Sequence, residues 1–242
     1  MKRPIVFTFI ALLLVAGCAE MQQLGEVVLA PTSTPALTES DVAAGLKEAL
    51  VRGTTTAVQK ASAADGFLKN PKLFIPFPPE AQKVKDIALQ YGLNGQVDQF
   101  ETTLNRAAEK AAGKASNVFV NAITSMTVSD AFGILKGDEN AATNYLIAKT
   151  RQELITQFKP EVKQATSQVE LTKYWNPLIT KYNMTTLLTG NPEINPDLDQ
   201  YVTEKAVDGL FIHIASEEKL IRQDPKARVT ELLQRVFGSV SP

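Results

Sequence analysis

The stretch "VDQFETTLNRAAEKAAGKASNVFVNAITSM", residues 97–126, has the clearest periodicity in the chain. At 100° per residue its apolar side chains fall within one broad arc, as they do on the inner face of an amphipathic helix. Alanines fill the middle of this arc and allow a neighbouring backbone to come close. We therefore predict one helix from about residue 95 to 126, with these residues facing inward: Val97, Phe100, Leu104, Ala107, Ala108, Ala111, Ala115, Val118, Phe119, Ala122 and Met126.

The sequence on both sides of this stretch also favours helices, since no run of β-branched residues alternates convincingly with polar ones. Thr38, with Asp41 three residues later, predicts a capped helix start, with Val42, Leu46, Leu50 and Val58 pointing inward. The prolines of "LFIPFPP", residues 73–79, exclude a helix interior and predict an extended segment over the core.

Helix-start and helix-stop residues divide the remainder of the chain. Asp138 is the predicted cap of a helix that ends at Phe158, and Pro160 opens the next one, which is interrupted near Pro177. Asn195 is the predicted cap of a long helix that ends at about residue 223. Shorter helices are predicted at about 79–92, at 127–137, where Thr127 with Asp130 marks the start, and at 225–238. The fold class is therefore all-α, a single domain of about seven to eight helices.

The N-terminus has the layout of a secretory signal, with Lys2 and Arg3 before an apolar run and small residues after it. This run is too short to span a bilayer, which needs about 20 residues. Cys18, the only cysteine, follows at once, and "VAGC" at 15–18 resembles the lipobox of bacterial lipoproteins. That resemblance implies cleavage between Gly17 and Cys18 and lipidation of the Cys18 thiol. The alternative is an ordinary signal peptide with an incidental cysteine.

These features predict three parts: a lipoprotein signal peptide (1–17), a lipidated cysteine with a flexible tether (18–37), and a helical domain (38–242). About 20 flexible residues have a root-mean-square reach of about 25 Å. By resemblance to lipoproteins of Gram-negative bacteria, Ala19 in place of aspartate implies the outer membrane, facing the periplasm. The membrane, reached through Cys18, is thus the first predicted partner, and an envelope protein or a small ligand is the second.

Charge and motifs exclude several functions. Loss of residues 1–17 lowers the 25 basic residues to 23 against 26 acidic ones, a net charge of −3, so a nucleic-acid partner is not expected. One histidine and one cysteine disfavour zinc, and the common phosphate, dinucleotide and hydrolase motifs are absent. In the acidic stretch 193–199, Pro196 stands where a calcium loop needs glycine. We predict no metal, no cofactor and no identifiable catalytic residue.

One group of polar residues falls among apolar ones. The helical count places His213 and Glu217 in an inward arc of the 195–223 helix, with Val202, Ala206, Leu210, Ile214, Leu220 and Ile221. It places Arg151 at the centre of an apolar arc as well. A buried charge requires a partner, so Glu217 should meet Arg151 or His213. The group is either an internal ion pair that fixes helix register or a ligand pocket in which Arg151 holds an anion.

A second candidate is the aromatic and proline-rich segment with Phe67, Leu73, Phe74, Ile75 and Phe77. Such side chains either form an interaction surface or lid, or cap the helical core, and the second interpretation is favoured.

Several blocks resemble a known bacterial family. They are "NRAAEKAA" (105–112), "MTVSDAFGILKG" (126–137), "YVTEKAVDGLF" (201–211), "EEKLIRQDP" (217–225) and "TELLQRVFG" (230–238). In this order they look like the family catalogued as domain of unknown function 4197, over about residues 45–238. The resemblance implies an exported helical protein and supplies no activity and no catalytic residue.

We therefore predict an envelope lipoprotein with a binding or scaffolding role. The alternatives are an envelope hydrolase with Glu217 as general acid or base, and a carrier of an apolar or anionic small ligand. A hydrolase should expose Glu217 in a cleft beside a second titrating group, whereas a scaffold should hold it paired under packed side chains. A carrier needs an open cavity beside the alanine-lined helix.

Overall fold

A computed structural model describes residues 37–168, 175, 179–186, 190, 193–195, 197–228 and 230–238. The predicted signal peptide, Gly17, Cys18 and the tether up to residue 36 lie outside the described residues, as does the predicted interruption near Pro177. The described part of the chain is an all-α single domain, as predicted, without a strand. Its α-helices are α1 (Glu39–Ser62), α2 (Gln82–Gln90), α3 (Asn94–Ala112), α4 (Ala115–Thr124), α5 (Val128–Leu135), α6 (Ala141–Thr166), α7 (Leu198–Gln223) and α8 (Glu231–Gly238).

Two short 3₁₀ helices, Pro79–Ala81 and Pro225–Ala227, precede α2 and follow α7, and residues 179–186 are helical as well. The long helix α7 packs against α6 and α1, while α3 packs against α6 and α7. The side chains that meet between these helices form one hydrophobic core. Among the residues described, no single helix is long and apolar enough to cross a bilayer. Residues 94–124 and α5 together meet the requirement by length and composition only, and they are bent by 106° relative to each other.

The helix starts predicted from capping boxes are confirmed. The Thr38 hydroxyl accepts a hydrogen bond from the Asp41 N–H, and the Asp41 carboxylate accepts one from the Thr38 N–H. Thr127 and Asp130 repeat this arrangement at α5. Each box lies within four consecutive residues, so the sequence alone is enough to predict it.

The helix predicted at 95–126 is interrupted after Ala112. Lys114 donates its N–H to the Ala111 carbonyl, three residues back, and a new helix, α4, begins at Ala115. The two parts continue in roughly the same direction. The alanine-lined face is confirmed, since Ala107, Ala108 and Ala111 are fully buried.

The predicted break at Pro160 is wrong, because α6 continues through it to Thr166. Proline removes one backbone hydrogen bond, but Leu154, Phe158 and Val162 are fully buried at successive turns on both sides of it. Packing of this stripe therefore outweighs the lost bond.

Two predicted caps are wrong. Asp197, and not Asn195, caps α7 by accepting a hydrogen bond from the Gln200 N–H at 2.8 Å. Asp138 does not cap α6, whose N-cap residue is Asn140 and whose first free N–H groups bind a side chain of α7 instead.

Candidate functional site

Glu217 lies where α7 faces α1, in an ion pair with Lys60 of α1 at 2.5 Å. The Glu217 side chain is only 13% exposed, whereas that of Lys60 is 51% exposed. The nearby α1 residue is Gly53, and a Cβ built on it would lie 3.6 Å from the Glu217 Cβ, so the two helices approach closely here. Glu217 thus has a partner, but the partner is not one of those predicted.

His213 lies one helical turn before Glu217 and is partly buried. Its Nε2 atom is buried and has no hydrogen-bond partner among the residues described. Burial lowers the pKa of the imidazole below its usual 6.5, and the positive charge of Lys60 lowers it further, although Glu217 acts in the opposite direction. These effects favour the neutral imidazole, so His213 does not supply the positive partner of Glu217.

Arg151 does not join this group. Its guanidinium pairs with Asp208 of α7 at 2.6 Å, and both side chains are more than a third exposed. Asp208 and Glu217 are nine residues apart, which places them on roughly opposite sides of α7 and about 13 Å apart along its axis. The predicted pairing of Arg151 with Glu217 is wrong, because Arg151 of α6 meets α7 at Asp208, on the side opposite Glu217, while Glu217 pairs with Lys60 of α1.

The inward arc predicted for α7 is also wrong at one position. Leu220 is 46% exposed, although Val202, Ala206, Leu210 and Ile214 are buried as expected.

The structure adds Glu218, which sequence analysis did not single out. Its buried carboxylate accepts hydrogen bonds from the Ala142 N–H at 3.0 Å and from the N–H and hydroxyl of Thr143 at 2.8 Å. The positive end of the α6 dipole stabilises a carboxylate at this position. The sequence signal for Glu218 is Arg222, four residues later, because glutamate and arginine at this spacing on a helix form ion pairs.

Arg222 completes this arrangement. It forms a salt bridge with Glu218 at 2.9 Å and donates a hydrogen bond to the Ile134 carbonyl at the end of α5. Arg228, also buried, donates to the Ile221 and Arg222 carbonyls at the end of α7. Glu218, Arg222 and Arg228 thus connect helix ends, because each forms hydrogen bonds with backbone groups at the end of a helix.

A cavity of about 30 Å³ lies beside Glu217 and Glu218, between α1 and α7, with apolar walls that include Leu46, Ile214 and Phe237. Ligand pockets are usually about 300–1,000 Å³, and a void of this size holds about two water molecules. The cavity therefore gives no space for a lipid chain or a comparable ligand.

A second polar arrangement lies on α3. Asn105, fully buried, accepts a hydrogen bond from the Ile75 N–H at 2.8 Å and donates one to the Ile75 carbonyl at 2.9 Å. One turn earlier, Glu101 accepts the Phe77 N–H and pairs with Lys85 of α2. Residues 74–78 are extended and make no backbone hydrogen bonds with one another, so these side chains bind their backbone groups instead.

Glu109, one turn after Asn105, continues this row. Its carboxylate accepts the backbone N–H groups of Phe67 and Leu68, both at 3.1 Å, and pairs with Arg106 at 2.6 Å. Three turns of α3 thus hold the whole 67–77 segment on the core.

The aromatic segment caps the core, as the favoured interpretation predicted. Phe67, Leu73, Ile75 and Phe77 are buried, and only Phe74 reaches 36% exposure. The Phe77 ring lies 4.6 Å from Phe100 and 5.6 Å from Trp175, measured between ring centroids. The segment therefore gives neither a lid nor a broad apolar surface.

No group of three or more histidine, cysteine, aspartate or glutamate side chains suited to a metal ion occurs in the described ranges. In the stretch 193–199, Asp197 caps α7. Burial alone would raise the pKa of the Asp197 carboxyl, but the hydrogen bonds from Lys159 and from the Gln200 N–H stabilise the carboxylate and lower the pKa.

The fold and these contacts define an all-α domain whose buried charges bind backbone groups and other charges. The family model described as "Protein of unknown function (DUF4197)" matches residues 36–238, and the chain belongs to that family. No curated protein and no solved structure matches the chain.

Proposed function

We propose that the chain is a lipoprotein of the bacterial cell envelope with a binding or scaffolding role, anchored through Cys18. The support for the anchor is the signal-like N-terminus with "VAGC" at 15–18. Acyl chains on the thiol each contribute about 0.8 kcal/mol per buried methylene, which makes attachment stable. Ala19 after the cysteine favours the outer membrane, with the domain facing the periplasm.

The observation that carries a binding role over hydrolysis is the ion pair of Glu217 with Lys60. A general acid or base must reach substrate and exchange a proton with it. Glu217 is instead mostly covered and held by a cation. Its neighbour Glu218 is engaged by Thr143, Ala142 and Arg222, so neither carboxylate is available.

The family blocks support the same proposal. Asn105 and Glu109 hold the 67–77 segment, and Thr127 and Asp130 cap α5. Glu218 and Arg222 connect α5, α6 and α7 through the contacts described above. Residues from these blocks therefore stabilise the fold, as we expect of a domain that presents a stable surface to a partner.

The anchor is tested by intact-mass measurement on protein extracted from envelopes of its host. Wild-type protein should begin at Cys18 and carry the mass of its acyl chains, whereas Cys18→Ala should lack that mass. Wild-type protein without the acyl mass, or a Cys18→Ala variant that keeps it, would contradict the proposal. Ala19→Asp is the matched variant for sorting: it should keep the lipid and shift the protein to the inner-membrane fraction.

A further inference from the structure

The end of α2 and the turn after it carry an exposed apolar tip. The side chains of Ile87, Leu89, Tyr91 and Leu93 are 54%, 38%, 80% and 40% exposed. No residue of α2 is buried, and the helix is attached mainly through α3, with Lys85 paired to Glu101 at 2.7 Å. These four large apolar side chains lie within seven residues and form an exposed patch, and such patches often mark interaction sites.

The tip carries apolar side chains on opposite sides, with the uncharged Gln90 between them. At 100° per residue, Ile87 and Tyr91 lie on one side of α2 and Leu89 lies on the opposite side. A helix end with apolar side chains on opposite sides is suited to an apolar surrounding medium, whereas one flat partner would cover only one side. The stretch 87–97, "IALQYGLNGQV", also lacks any charged residue, although 21% of the chain is charged.

We propose that this tip, Ile87 to Leu93, inserts into the interfacial region of a lipid bilayer. Tyrosine prefers this region because its ring is apolar and its hydroxyl reaches the headgroups. Exposed Lys83, one turn earlier on α2, is placed to meet anionic headgroups.

The 18–36 part of the chain is long enough for the anchor at Cys18 and the tip to reach the same membrane. Lys47, about 12 Å along α1 from its first residue, bonds the Thr124 carbonyl at 3.0 Å, so the N-terminal part of α1 lies beside the end of α4, while the tip lies at the start of α3. Since α3 and α4 continue in one direction, these ends are roughly 45 Å apart. The 19 residues from 18 to 36 span at most about 65 Å when extended, enough for anchor and tip to reach one membrane. The inference adds to the proposed anchor and does not require it.

The test uses residues 19–242, which lack Cys18, and vesicles of phosphatidylethanolamine and phosphatidylglycerol. We expect wild-type chain to float with the vesicles, and the combined variant Ile87→Ser, Leu89→Ser, Tyr91→Ser, Leu93→Ser to bind about tenfold less, because it lacks the inserted apolar area. The matched control, Ile212→Ser with Leu220→Ser, removes similarly exposed apolar side chains from α7 and should bind like wild type.

Insertion itself is read from Tyr91→Trp with brominated lipids. The new indole should be quenched, whereas buried Trp175 should not. Absence of flotation by the wild-type chain, or equal binding by the serine variant at an unchanged melting temperature, would overturn the inference. A dimer in sedimentation that the serine variant loses, without vesicle binding, would overturn it and assign the tip to a second copy. Because Cys18 is absent throughout, these outcomes are independent of the anchor test.

Discussion

Glu218 of α7 accepts two hydrogen bonds from Thr143 of α6, one from its N–H and one from its hydroxyl, both at 2.8 Å. A side chain 75 residues away thus caps the helix that Asp138 was expected to cap. The start of α6 is therefore fixed by tertiary structure, and it depends on one carboxylate.

Replacement of this carboxylate should be costly. We expect Glu218→Ala to lower the free energy of unfolding by about 3 kcal/mol or more, because buried N–H groups and the Arg222 guanidinium lose their partner. Glu204→Ala, at an exposed position of the same helix, is the control and should change it by less than about 0.5 kcal/mol. Urea denaturation measures both, and equal effects would contradict the capping role.

The side-chain amide of Asn105 gives a second test. Asn105→Ala leaves the N–H and carbonyl of Ile75 buried without partners, so we expect a loss of about 2–4 kcal/mol and release of the 67–77 segment. Amide hydrogen exchange should then accelerate at Ile75 and Phe77 more than in α6. The exposed Asn121→Ala serves as control. Uniform acceleration across the domain would speak against a local role.

Two glycines offer a matched pair for packing. A Cβ on Gly209 would lie 2.6 Å from Cε1 of the fully buried Phe67 ring and 3.2 Å from Leu73, so Gly209→Ala should destabilise the domain by about 1–3 kcal/mol. A Cβ on Gly133 meets nothing within 4 Å, and Gly133→Ala in α5 should be neutral or stabilising. Thermal unfolding compares the two, and a tolerated Gly209→Ala would show that Phe67 can move.

His213 predicts a dependence of stability on pH. Its folded-state pKa is lowered by burial and by Lys60, with Glu217 opposing, so the unfolded chain binds the proton more readily. Stability should be fully present above the unfolded value of about 6.5 and fall as pH drops below it. Since His213 is the only histidine, His213→Gln should remove most of this slope between neutral pH and about pH 5.5. An identical slope in the variant would contradict the assignment.

The helical fold class and the capping boxes at Thr38 and Thr127 could be predicted because their signals lie within one or two helical turns. The pairs Glu217 with Lys60 and Arg151 with Asp208 could not, since they join residues 157 and 57 positions apart. An angular count shows which way a side chain points along its own helix, but not which helix is opposite. For the same reason Glu218 was missed, and Pro160 gave a wrong helix end because buried neighbours outweigh its local preference.

The central claim is that Glu217 is a structural partner of Lys60 in a binding domain, and a double-mutant cycle tests it most directly. We predict that Glu217→Gln and Lys60→Met each lower the free energy of unfolding, with a favourable coupling energy of about 1 kcal/mol between them. A Glu217→Gln variant that is more stable than wild type, with no coupling to Lys60, would contradict the claim, because residues held for catalysis commonly stabilise a protein when replaced.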